Sequence, residues 1–142
     1  MNAYLKKLQS MKPPKRYKAN FISFFCGGGG LDLGLELAGL KCIYATDIEK
    51  AYCETVSNNL KTITEAHDMN ELTGAKIKER TGVDIIDLIA GGPPCQAFSI
   101  LGNRKSVKDP RGKLVYEYVR LIKELQPEAF LMDTPGIFLS MQ

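Results

Sequence analysis

The sequence has a single histidine, His67, and no CxxC pair among its four cysteines. Structural zinc sites draw on Cys and His at close spacing, so no metal is expected. Cys26, Cys42, Cys53 and Cys95 are scattered along the chain. That pattern predicts reduced thiols rather than a disulfide framework. No stretch approaches the roughly 18 apolar residues of a membrane span. The start "MNAYLKKLQSMKPPKRYKAN" lacks the apolar segment of a secretory signal. No membrane is therefore expected among the partners. An intracellular setting is, cytoplasmic in a bacterium or nuclear in a eukaryote. Acidic side chains are missing from residues 1–20, which hold six of the 19 Lys and Arg. The remaining chain is acidic by about three charges. The basic start binds nucleic acid or is a solvated tail; its length leaves both open.

The 142 residues, 44% of them hydrophobic, suit one domain with a real core. Strands are expected at 21–25 ("FISFF"), 41–47 ("KCIYATD"), 62–68 ("TITEAHD", the weakest), 84–92 ("DIIDLIAGG") and 128–133 ("EAFLMD"). Helical periodicity lies between them, at 31–40, 48–60, 70–82 and 113–127, with Gly39 and Pro127 as stops. This alternation predicts an α/β fold: a parallel sheet of about five strands, right-handed crossovers and flanking helices. Ligands of such sheets bind beyond the carboxyl ends of the strands. Cys26 to Gly30, Asp47, Asp68, Gly91 to Cys95 and Asp133 all fall at those ends.

"FFCGGGG" sets four glycines between a strand and a helix. Glycine permits unusual φ and lets backbone approach a ligand. The dinucleotide fingerprint Gly-x-Gly-x-x-Gly is absent, as is the phosphate-loop Lys-Ser/Thr pair. That disfavours a nicotinamide oxidoreductase. A nucleoside ligand fits better, with a plain tight turn as the alternative. Asp47 follows Gly30 by 17 residues, where nucleotide-binding sheets place an acid to accept ribose hydroxyls. An Asp at a strand end is also a common helix cap; Asp68 admits the same two readings. "GGPPCQAFS" makes a poor strand, since proline removes a donor and glycine weakens pairing. It reads as a stiff loop with Cys95 at its tip. Cys95 is a nucleophile on a rigid mount or a loop cysteine without chemistry. No histidine adjoins it, so a protease-like Cys–His pair is not indicated.

Together, "FFCGGGGLDLGLELAG", "ATDIEKAYCETVSNN" and "DLIAGGPPCQAFS" resemble the DNA (cytosine-5-)-methyltransferases, from about Phe21 to Met132. The resemblance implies the first half of a Rossmann-like, S-adenosylmethionine-dependent methyltransferase fold: residues 21–142 form a partial catalytic domain, after the basic segment 1–20. It implies S-adenosyl-L-methionine as cofactor, at Phe25, Gly27, Gly29, Gly30, Leu31, Asp47, Ile48, Asp68 and Pro93. Asp47 stands where the family contacts the ribose, Ile48 lies beside the adenine, and Asp68 matches the acid that meets the adenine amino group. Cys95 matches the nucleophile. Its thiolate adds to cytosine carbon-6, so that carbon-5 attacks a methyl group, after the base has left the helix stack. Double-stranded DNA is the implied partner. The segment from Ser99, with Arg104, Lys105 and Arg111, resembles the family's DNA-closing loop. Without the family it reads as a charged, solvated loop.

The match is incomplete in three places. Where the family reads Glu-Asn-Val, the chain has Asp133 and Thr134, or a residue is lost there; Asp133 is one methylene shorter than the family's catalytic Glu. Ser23 replaces the usual acid before the glycine turn. The later Gln-x-Arg-x-Arg strand and the target recognition region have no counterpart. The expected function is thus the cofactor and nucleophile portion of such an enzyme. It is expected to be inactive alone and to need a complementary chain carrying the remaining motifs. A catalytically dead cofactor- or DNA-binding fragment, or a regulatory subunit, is the alternative.

Overall fold

A computed structural model describes residues 10–12, 14–94 and 110–133, with backbone alone for 110–112. Five strands alternate with helices: β1 (Ala19–Phe24), α1 (Gly30–Leu37), β2 (Leu40–Asp47), α2 (Lys50–Leu60), β3 (Ile63–Ala66), α3 (Gly74–Thr81), β4 (Leu88–Gly91), α4 (Pro110–Leu125) and β5 (Ala129–Met132). The sheet order is β3-β2-β1-β4-β5, and every pairing is parallel. The expected fold class is the one observed. The chain walks outward from β1 to β3, then crosses back to lay β4 against the other side of β1. That reversal opens a crevice between the carboxyl ends of β1 and β4, where sheets of this kind take ligands.

Residues of β1 alternate between two cores, as the period of a strand requires. Ile22 and Phe24 join Tyr44, Ile77, Ile89 and Tyr118 beneath α3 and α4. Phe21 joins Cys42, Ala45, Val56 and Leu60 beneath α1 and α2. Tyr118 reaches the sheet with its hydroxyl, whose single proton is shared between the carbonyls of Leu131 (2.9 Å) and Ile89 (3.3 Å). α4 is thereby tied to both β4 and β5. Arg120 does similar work for the β3–α3 connection. It donates to the carbonyls of Met69 (3.0 Å) and Leu72 (2.8 Å) and pairs with Glu117 and Glu124, each at 2.6 Å. Glu124 in turn accepts the N–H of Gly74, at the start of α3, at 2.7 Å.

The strand expected over 84–92 is half as long as its apolar content suggested. Asp87 accepts the Asn20 N–H at 2.6 Å, while Asn20 accepts the Asp87 N–H at 3.2 Å and donates to Ile85 O at 3.0 Å. These side-chain bonds occupy backbone groups that a longer ladder would have used. Ile85, inside the expected strand, is 70% exposed. α4 begins at Pro110, before the expected 113; proline suits a first helical turn, where its missing N–H costs nothing. No helix among the described residues is long and apolar enough to cross a membrane.

Candidate cofactor and nucleophile site

β1 ends at Phe24, and the chain turns at once through left-handed backbone: φ is 55° at Phe25, 50° at Gly27 and 82° at Gly29. Only glycine takes such angles freely, which accounts for Gly27 and Gly29; Gly28 and Gly30 have no such φ, and Phe25 adopts its angle with a side chain. The turn is held by its own bonds. Cys26 N–H donates to Thr46 O at 3.1 Å, and Gly29 N–H to Cys26 O at 2.9 Å. Gly27 N–H donates to a carboxylate oxygen of Asp47 at 3.0 Å.

Asp47 is therefore the joint of the site. Its second carboxylate oxygen accepts the N–H of Glu49, at the start of α2, at 3.1 Å, and its carbonyl accepts the N–H of His67 at 3.0 Å. Its side chain thus ties the glycine turn to Glu49, the residue that caps α2. Each carboxylate oxygen keeps a lone pair for an incoming hydroxyl. Ile48 beside it is 67% exposed, an apolar side chain standing in solvent beyond the carboxyl end of β2. Asp68 folds onto its own loop, accepting the N–H (2.9 Å) and side-chain amide (2.6 Å) of Asn70. Those bonds hold its carboxyl below the usual carboxylate range.

The four glycines do not share one purpose. A Cβ at Gly27, Gly28 or Gly30 would meet nothing within 4 Å, so their backbone is open to a ligand. A Cβ at Gly29 would lie 2.9 Å from Val56 Cγ2. The glycine requirement there comes from its left-handed backbone and from α2 packing below the turn. Leu31, in the first turn of α1, is partly buried against the core cluster of Phe21, Cys42 and Val56.

Gly91 closes β4 under equal constraint: a Cβ there would lie 2.5 Å from Phe24 O and 2.9 Å from the Tyr118 ring. The Phe25 ring lies 6.5 Å from that of Tyr118, so the two strand ends share one aromatic floor. Pro93 is buried and Pro94 exposed as the chain leaves β4. Asp133 N–H donates to Gly91 O at 2.8 Å, which sets the candidate acid beside the root of the candidate nucleophile loop. Cys95, Ser99, Arg104 and Lys105 lie outside the described residues, as does the Arg111 side chain.

The described thiols are poor nucleophiles. Burial pushes Cys42 up to about 12 and also raises Cys26 and Cys53. All three are free and buried. Among the described residues no group of three or more His, Cys, Asp or Glu could hold a metal ion. Sequence reasoning missed two supports of the site, Tyr118 and the acids of α1. Asp32 and Glu36 are the buried residues of that helix, while Leu33 is 47% exposed. Their spacing of four residues was the available signal, hidden by the surrounding leucines.

A family model described as C-5 cytosine-specific DNA methylase matches residues 19–133. The chain is 41% identical over 119 residues to the type II methyltransferase M.FnuDI of Fusobacterium nucleatum, covering 84% of itself and 33% of that protein. It is 39% identical over 115 residues to M.AquIA of Picosynechococcus, covering 79% of itself and 46% of that protein. It thus spans between a third and a half of these relatives. A crystal structure of a DNA modification methyltransferase encoded within a prophage (E. coli) superposes with a TM-score of 0.73 at 36% identity, over 87% of this chain and 34% of the other. Dnmt2 of S. pombe shares the fold, with a TM-score of 0.63 at 23% identity over 85% of this chain and 37% of that one. Glycine turn, acid joint and parallel sheet thus sit in a chain that belongs to the C-5 cytosine-specific DNA methylase family.

Proposed function

We propose that this chain is the cofactor-binding and nucleophile-bearing portion of a DNA cytosine-5 methyltransferase, working with a complementary chain that supplies the remaining motifs. One observation carries the reading. The open glycine turn, pinned to Asp47 through Gly27, lies at the same end of the sheet as the loop leaving β4 toward Cys95. Residues 21–142 form the catalytic portion and residues 1–20 a basic lead.

The residues present fit S-adenosylmethionine. Open backbone at Gly27, Gly28 and Gly30 gives room for close approach. Asp47 offers acceptors for ribose hydroxyls, exposed Ile48 an apolar surface for adenine, and Asp68 an acceptor for its amino group. Phe25, Leu31 and Pro93 line the same end of the sheet. When bound, the cofactor supplies an electrophilic methyl group. Cys95, as thiolate, adds to carbon-6 of a flipped cytosine and leaves when carbon-5 has lost its proton. Asp133, tethered to Gly91, holds the ring edge. Ser99, Arg104, Lys105 and Arg111 contact phosphates, which gives affinity without sequence choice.

Among the described residues β5 is an edge strand, with Phe130 59% and Leu131 41% exposed. An exposed apolar edge invites pairing, and it is where the complementary chain docks. A second reading, a catalytically dead binding or regulatory fragment, draws on Asp133 and Thr134 standing in for Glu and Asn.

Labelled methyl transfer to duplex DNA separates the two. The chain combined with a partner carrying the Gln-x-Arg-x-Arg strand should methylate cytosine, and Cys95→Ser should abolish this while leaving cofactor affinity intact. Full activity of that variant excludes the covalent mechanism. Cofactor binding without transfer, with the partner present, favours the second reading.

A further inference from the structure

We infer that Asp32 on α1 and Ser23 on β1 form a clasp across the base of the glycine turn, making Asp32 a positioning residue for cofactor binding. The inference rests on the reading of that turn as the S-adenosylmethionine site.

Asp32 is 1% exposed, and neither carboxylate oxygen completes a hydrogen bond of good geometry. Burying a carboxylate so is costly. Its neighbour one turn on shows how the cost is normally met. Glu36, 3% exposed, accepts from Lys41 Nζ at 2.8 Å, Cys42 N–H at 3.2 Å and Tyr17 hydroxyl at 3.4 Å. Among the described residues no cation pairs with Asp32. Packing alone does not require an acid there, because an apolar side chain would fill the space without the penalty.

The surroundings point to the turn. Ser23 is 1% exposed, and strand alternation sets it on the same face of β1 as Phe21, toward α1 and α2. Burial raises the Asp32 carboxyl above the usual aspartate range, and the Ser23 hydroxyl beside it pulls the other way. Ser23 stands two residues before Phe25, and Asp32 two residues after Gly30, so the pair closes the two arms of the turn. The charge of Asp32 is also felt by Cys26, within the turn. Cys26 holds Thr46 through its N–H and Gly29 through its carbonyl. A displaced Asp32 therefore moves the backbone that the cofactor would approach. An acid–hydroxyl clasp works from either side. That accounts for a serine at the position where the resemblance noted above places an acid.

The test uses the full chain and exchanges the pair. Asp32→Ala is expected to speed amide exchange at Gly27 and Gly29 about tenfold relative to the centre of β1. It should weaken S-adenosylmethionine binding, measured by calorimetry, by about tenfold or more. The swapped variant Ser23→Asp/Asp32→Ser should recover both to within about threefold. If Asp32→Ala fails to fold, Asp32→Asn keeps the shape and should lose the same protection. A swapped variant as defective as Asp32→Ala, or an Asp32→Ala chain with unchanged exchange, overturns the clasp. A wild-type chain that binds no S-adenosylmethionine counts against the cofactor reading instead, and the exchange comparison still decides the clasp.

Discussion

Adding one methyl group at Gly29 should unfold the glycine turn from below. The Cβ of Gly29→Ala would sit 2.9 Å from Val56 Cγ2, and Val56 is wholly buried. Two costs follow. A φ of 82° is left-handed backbone, which costs a non-glycine residue about 1–2 kcal/mol. Forcing a methyl group into a packed core costs about 1–3 kcal/mol. The expected destabilisation is their sum, about 2–5 kcal/mol. The two terms separate in a double variant. Val56→Ala alone removes two buried methyl groups, worth about 1.6 kcal/mol. Combined with Gly29→Ala it opens the space that the new methyl needs, so only the backbone term should remain on top. Urea denaturation of the four chains should show a coupling of about 1–3 kcal/mol in favour of the double variant. Gly28→Ala is the control, because its Cβ meets nothing within 4 Å. It should leave stability within about 0.5 kcal/mol yet weaken S-adenosylmethionine binding. A stable Gly29→Ala chain that has lost only cofactor affinity would refute this reasoning and return Gly29 to the ligand-facing side.

Further expectations follow from the connecting bonds. Arg120→Ala should cost about 1–3 kcal/mol by stranding the Met69 and Leu72 carbonyls, and Arg120→Lys should recover only part of that in the same denaturation assay. The Gly74 N–H, then Arg120, hold Glu124 below the usual glutamate range. Its stabilisation is present above the unfolded pKa and is lost as pH falls through the lower folded value, so Glu124→Gln should flatten the acid limb of a stability–pH curve. Burial raises Asp32, so its sign is opposite. Its stabilisation holds below the ordinary aspartate pKa and is lost as pH rises through the folded value, so wild-type stability by urea denaturation should fall across that rise and Asp32→Asn should not show the fall. The chain alone should associate and fail to methylate DNA; Phe130→Lys on the β5 edge should lower its mass in solution, and a stable monomer that methylates would contradict this.

Most of the fold was legible because its strands are short apolar runs ending in turn residues, as "FISFF" before four glycines shows. The overestimated strand at 84–92 shows the limit. Apolar content puts Ile85 inside the strand, but the long-range pairing of Asn20 with Asp87 decides where the ladder begins. The site was legible as residue types at strand ends and not as contacts. Asp47 could be placed near the turn, yet its grip on Gly27, Glu49 and His67 depends on three segments meeting. Gly29 shows the same gap: a glycine in a glycine run gives no sign that Val56, 27 residues on, adds to the need for it. Tyr118 and Asp32 were hidden because a buried hydroxyl or acid reads, in sequence, as the polar face of its helix.

The grip of Asp47 bears on the order in which the molecule assembles. Its partners at 27, 49 and 67 are all within about 20 residues of it along the chain, so these closures are local and cost little loop entropy. β4 must instead find β1 across a gap in which Phe21 pairs with Leu88. Long-range pairings of that kind form late. Contact order therefore predicts that the first three strands, with the glycine turn fastened at their ends, pair before β4 docks, and pulse-labelled amide exchange showing β4 protected first would contradict it.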